Sequence, residues 1–253
     1  MNLKIGDYVT RNSYNNDTIF KVVEIKDDIA ILKGVDIRLF ADSNISDLVL
    51  VEYSFDEDLI DNYLYERRLD RNEYFYLPAK ILHIDGDIDY LNRCMKFYKN
   101  ANIYAVGEHI KENDVSTIII KLLKKYKPDI VIITGHDSIN KSSTNVVYKN
   151  SNNFIKAVYK AREYESSHEK LVIIAGACQS DYESLIKAGA NFASSPKRVN
   201  IHALDPAIIA INLALTEKSK EIDLLNLLEK TKYGHDGMGG LKCNGLMYVG
   251  YPR

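Results

Sequence analysis

Cys178 closes the apolar run LVIIAGAC, and a polar segment beginning QSDYE follows it at once. That pattern reads as a buried strand turning into a helix, with the thiol at the turn. Such a place suits a nucleophile, because a strand end is an open edge and a helix N-terminus favours the thiolate. Cysteine also packs as a small apolar residue, so Cys178 alone does not decide the matter. His136 ends a second apolar run, IVIITGHD, about forty residues earlier. A thiolate beside an imidazole makes a nucleophile with its base. Gly135, Gly176 and Ala177 surround the pair with small residues that leave the backbone open to a substrate carbonyl. A third run, ILHIDGD, ends in Asp85 and Asp87.

Three strand ends bearing polar groups imply a scaffold that gathers them. From Pro78 onward, strand-like and helix-like segments alternate: AKILHID, IDYLNRCMKFYKN, NIYAVGE, VSTIIIKLLKKY, PDIVIITGHD, SNNFIKAVYKARE, KLVIIAGAC and DYESLIKAG. Repeated alternation of this kind implies a parallel sheet covered by helices, with function collected beyond the carboxyl ends of the strands. NFASS, RVNIHAL and a long helix over 205–231 complete the expected pattern. If the strands ending in His136 and Cys178 are neighbours, the two side chains share one rim.

The expected domains are a small β-barrel of SH3-like size over residues 1–52, a helical linker over 53–77, and an α/β domain over 78–253. The first rests on short β-like runs, among them DYVTR, IFKVVEI, IAILKG, VDIRLF and LVLVE, separated by turn clusters. The linker is charged and aromatic at helical spacing, and its Arg67, Arg68 and Arg71 offer an exposed segment that a protease could cut.

Composition removes several classes. A net charge of −2 with interspersed signs gives no footprint for nucleic acid. No apolar run reaches the length of a membrane span, and the N-terminus carries no apolar signal core, so a cytoplasmic protein is expected. Cys94, Cys178 and Cys243 lie far apart, with neither a disulfide framework nor a zinc knuckle in their spacing. HDGMGG follows a helix, where a phosphate loop would follow a strand, and reads instead as a wall of the cleft. No cofactor is called for. DGDID clusters three carboxylates but lacks the distant glutamate of a calcium loop.

Histidine before cysteine is the order of caspase-like peptidases, whereas nucleophile-elbow enzymes place the histidine after the nucleophile. His202, with Asp205 close by, keeps that second arrangement open.

KIGDYVTRNSYNNDTIFKVVEI, ILHIDGDIDYLNRCMKFYK, PDIVIITGHD, AGACQSDYESLIKAGANFASSPKRVNIHALDP and GHDGMGG together resemble the YabG family of sporulation-specific proteases of spore-forming bacteria. The resemblance runs over nearly the whole chain. It implies a cysteine endopeptidase of the mother cell that processes spore coat and cortex-associated proteins, cleaves after arginine and processes itself. It also implies a caspase-like sheet, with His136 and Cys178 at the positions of the family's proposed pair. Two departures stand out: glycine precedes His136 rather than following it, and Gly176 stands where arginine-specific relatives of the wider group carry aspartate. The oxyanion donors expected are backbone groups at Cys178 and near Gly135, Asp137 or Ala177. Asp85 and Asp87 are the candidate acids for a substrate guanidinium, with capping of the following helix as their plain alternative. Ser194 and Ser195 are candidates to line the cleft.

Overall fold

The structure, a computed structural model, describes residues 3–53, 72–141 and 146–252. The chain divides into two compact units, Met1–Leu59 and Ile60–Arg253. Most of the expected linker, with Arg67, Arg68 and Arg71, lies outside the described residues.

The first unit is a five-stranded antiparallel sheet of β1 (Tyr8–Arg11), β2 (Phe20–Lys26), β3 (Ile29–Gly34), β4 (Phe40–Asn44) and β5 (Leu48–Leu50), in the order β4-β3-β2-β1-β5. Alternation along β2 and β3 buries Phe20, Val22, Ala30 and Leu32, which close a small core with Val9 and Leu48. The run VDIRLF is mostly not a strand; β4 begins only at its last residue, Phe40.

The second unit is built on a six-stranded sheet. Its strands are β7 (Ile81–Asp85), β8 (Ala105–His109), β9 (Ile130–Thr134), β12 (Val172–Ala175), β13 (Phe192–Ser194) and β14 (Met238–Gly240), in the order β14-β13-β12-β9-β7-β8. All neighbours are parallel except β13 and β14. Glycine-rich MGG is therefore an edge strand of the sheet.

Helices cover both faces. α1 (Ile88–Asn100) starts where the Asp87 side chain accepts from the Asp89 and Tyr90 amides, and buries Tyr90, Leu91, Cys94, Phe97 and Tyr98 at helical spacing. α2 (Glu112–Tyr126) and α3 (Ser151–Tyr164) pack on the face carrying Leu82, Ile84, Val131, Ile133, Ile173 and Ala175. The opposite face meets α1 and α5 (Asp205–Ala214), a helix apolar on every side and buried at all its residues. Between α3 and α5 lies the short α4 (Tyr182–Lys187).

Three expectations change. The long helix over 205–231 is two pieces, α5 and α6 (Leu224–Glu229). The intervening polar residues bond to the tail instead, with Lys218 N donating to Met247 O and Gly245 N to Lys220 O. A hairpin of β10 (Ile139–Lys141) and β11 (Val146–Tyr148) stands between β9 and α3 where no strands were expected. Within the expected helical linker, β6 (Phe75–Leu77) is a strand paired with β15 (Tyr248–Gly250). A last short helix, α7 (Gly234–Gly237), leads into β14.

Candidate active site

After β7 the chain runs out to the edge strand β8, then returns to the other side of β7 as β9. That reversal makes β7 and β9 the switch point of the sheet, beyond whose carboxyl ends open α/β sheets form the crevice in which they bind ligands. Asp85, Gly86 and Asp87 leave one strand there, and Gly135, His136 and Asp137 leave the other.

β12 lies on the far side of β9, with Ile133 paired to Ala175 and the Gly176 amide still donating to Ile133 O at 3.0 Å. His136 and Cys178 each follow that pair by three residues. Continuing the alternation of the strands puts Asp85, Asp87, His136 and Cys178 on the face of α1 and α5. The contacts agree: the His136 ring lies 5.5 Å from that of Tyr90 on α1, and Cys178 Sγ meets Ile201, four residues before α5.

His136 is held through both its ring and its main chain, whose carbonyl accepts from Asn150 Nδ2 at 2.8 Å. Its Nε2 is 2.8 Å from Asp87 Oδ2, and its main-chain amide donates to Glu112 Oε1 at 2.8 Å. A carboxylate only accepts, so the neutral ring carries its proton on Nε2 and its lone pair on Nδ1. Glu112, at the first turn of α2, was not singled out in the sequence. Its carboxylate occupies space that a Cβ at either Gly86 or Gly135 would take, with Oε1 2.4 Å from each such atom. The two glycines flanking the crevice were the available signal.

The Cys178 thiol is fully buried. Ile201 N donates to Sγ at 3.2 Å, and Ile201 O is 3.8 Å away. The expected helix directly behind it is displaced: α4 begins at Tyr182, capped by Asp181. The Cys178 turn is made by Gly176 at φ +103° and Gln179 at φ +58°. A Cβ on Gly176 would fall 2.4 Å from Ser194 Oγ, so glycine is required twice over.

Asp137 joins the two loops. Its carboxylate accepts from Ser138 N, Asn150 N, Ser151 Oγ and Ser180 Oγ, and Ser180 Oγ in turn accepts from Ala177 N at 2.9 Å. The Ala177 amide is therefore engaged within the loop. Ser194 and Ser195 are fully buried; Ser194 Oγ donates to Ala177 O, and Ser195 Oγ accepts from Gln179 N and donates to Val199 O at 2.6 Å, so they brace the Cys178 loop.

Asp85 is fully buried and accepts from the Asp87 amide at 2.9 Å, with His83 Nε2 3.5 Å from its other oxygen. Asp87 serves both His136 and the N-terminus of α1. His202 is buried on the segment that covers Cys178; its Nδ1 accepts from Leu204 N and its amide donates to Asp205 Oδ2. Among the described residues no group of three or more His, Cys, Asp and Glu side chains is arranged to hold a metal, and no helix is long and apolar enough to cross a membrane.

The arrangement offers a thiol, an imidazole and main-chain amides at adjoining strand ends, the set needed for acyl transfer. Comparison with known proteins gives a peptidase, without specifying its mechanism. A solved structure, a novel cobalamin-binding protein from Desulfitobacterium hafniense DCB-2, matches at 18% identity and a TM-score of 0.34, over 53% of this chain and 58% of that one. A likeness so low carries no functional argument. The Sporulation-specific protease YabG of Bacillus subtilis (strain 168) is 38% identical over 286 aligned positions, covering 100% of this chain and 99% of that protein. The pattern of the YabG peptidase U57 family matches residues 4–63 and 56–252. The chain belongs to the YabG peptidase family.

Proposed function

We propose that this peptidase is a cysteine endopeptidase in which Cys178 is the nucleophile and His136 the proton carrier. The observation that carries the reading is the in-register pairing of β9 with β12, which brings the strand ends bearing His136 and Cys178 side by side. In the proposed cycle His136 takes the thiol proton as sulfur bonds to the peptide carbonyl carbon. The imidazolium then gives that proton to the departing amine as the C–N bond breaks, and water, activated by the same imidazole, releases the acid from the thioester. Main-chain amides hold the oxyanion, with Cys178 N–H as one and a group near Gly135 or Asp137 as the other. No cofactor enters.

The finer architecture belongs to the same reading. Five parallel strands and an antiparallel sixth, with histidine before cysteine, support a caspase-like peptidase unit over 78–253. Five short antiparallel strands with β1 between β2 and β5 support an SH3-like first unit over 1–52 that docks substrate. The relative's name supports a role in sporulation, and on the family resemblance we infer spore coat and cortex-associated proteins as substrates, the mother cell as the place of action, cleavage after arginine, and self-processing. The acid that receives the arginine belongs to the carboxylates round the crevice: Asp85, Asp87 or Glu112.

Hydrolysis of fluorogenic peptides ending in arginine, lysine, leucine or aspartate tests the proposal. Wild type should prefer arginine, Cys178→Ala and His136→Ala should lose turnover while staying folded, and His202→Ala should keep it. Turnover lost with His202 and kept without His136 would favour a nucleophile-elbow hydrolase. Full activity in Cys178→Ala would end the cysteine reading, and inactivity of every form on peptides and proteins alike would favour a scaffold.

A further inference from the structure

We propose that Asp87 is the positioning residue of His136: it fixes the ring in the tautomer that leaves Nδ1 as the basic nitrogen, and so takes no part in binding the substrate's arginine. This rests on the Cys178 and His136 chemistry proposed above and narrows the set of acids available for specificity.

The geometry makes Asp87 a bridge between the imidazole and the fold. Oδ2 meets His136 Nε2 at 2.8 Å, while Oδ1 accepts from the Asp89 and Tyr90 amides at the start of α1. The residue is 7% exposed, and its own amide donates to buried Asp85. Its carboxylate is thus held by two helix amides, and its main chain by Asp85, before it touches the ring. A carboxylate so fixed holds an imidazole in one tautomer and stabilises the imidazolium that forms when the thiol gives up its proton. A guanidinium seated on the same carboxylate would compete with His136 for Oδ2 and oppose the charge that must develop on the ring. The two roles conflict, and the bond observed is the one to histidine. The Tyr90 ring, packed against His136 from the first turn of α1, limits rotation of the imidazole away from Asp87.

The test uses the full chain and two substitutions that keep the helix cap. In Asp87→Asn the side-chain oxygen still accepts from the helix amides, and the amide NH2 faces Nε2, driving the ring proton to Nδ1. In Asp87→Ser the hydroxyl caps the helix but is too short to hold the ring. Turnover of arginine, lysine and leucine peptides would be measured with both, with wild type and with Cys178→Ala, together with the 15N resonances of the His136 ring.

We expect kcat to fall about 100-fold or more in both variants, equally for every peptide, with KM near wild type and melting little changed. The ring proton should move from Nε2 to Nδ1 in Asp87→Asn. Loss confined to arginine peptides, carried by KM with the tautomer unchanged, would make Asp87 the specificity acid and overturn the proposal. Unchanged kcat in both variants would reduce Asp87 to a helix cap and also overturn it. Turnover retained by Cys178→Ala would overturn the cysteine reading, and this proposal with it. Turnover lost in Cys178→Ala but kept in both Asp87 variants overturns this proposal alone.

Discussion

Cys178 and Cys243 share one unit but have different surroundings. Burial pushes the Cys243 thiol up to about 11, so it remains protonated and a poor nucleophile at neutral pH. Cys178 Sγ instead meets the main chain of Ile201, accepting from its N–H at 3.2 Å and facing its carbonyl at 3.8 Å. Cys243→Ala should therefore leave peptide turnover at wild-type level, and native protein treated with iodoacetamide at pH 8 should show Cys243 unmodified by mass spectrometry. Gly176 permits a second prediction at this scale. Alanine there would need a positive φ and would press its Cβ against Ser194 Oγ, so Gly176→Ala should cost about 2 kcal/mol or more in denaturant unfolding and distort the Cys178 turn.

Among the elements, the two ends of the parallel strands are stabilised by different devices. At the carboxyl ends, buried Asp137 ties the β9 loop to the start of α3 and to the Cys178 loop through Ser151 and Ser180. Ser180→Ala removes the link that also satisfies Ala177 N, and should reduce turnover as well as stability, the latter by about 1–3 kcal/mol. At the amino ends, Arg162 of α3 donates to Gly189 O, Leu171 O and Asn191 Oδ1, binding α3 to the entrances of β12 and β13. Its guanidinium is half-buried and pushed down to about 10 by that burial, yet stays charged at neutral pH. Arg162→Ala should lower the melting temperature by several degrees while kcat of the remaining folded protein is unchanged. A matching loss of kcat would show that the two ends are coupled. Elements with a strong period and a cap were the legible ones: α1 begins and ends as the sequence reads, with Asp87 before it. The break after Ala214 was not legible, because apolar residues at helical spacing resume at Leu224 and the bonds replacing the helix come from residues some thirty positions away.

For the whole molecule, each unit closes its own core: Val9, Phe20, Val22, Ala30, Leu32 and Leu48 in the first, and a much larger cluster between the sheet and α2 and α3 in the second. Calorimetry should resolve two transitions, and Phe20→Ala, costing about 3–5 kcal/mol, should lower only one of them. A single transition shifted as a whole would mean that the units unfold together.

The sequence carries the class of the sheet, because buried apolar runs alternating with amphipathic segments admit few other solutions. It also marked His136, Cys178 and Asp87 as polar residues at strand ends. It did not determine what each touches. Asp87 and His136 are 49 residues apart and meet because the chain goes out to β8 and returns as β9 on the other side of β7. Glu112 reaches the His136 amide across two glycines for the same reason. Ser194 and Ser195 read as cleft residues, yet turn inward to brace the Cys178 loop. Strand order is a property of long-range pairing, which local periodicity does not encode, and the partners of every side chain at the crevice follow from it.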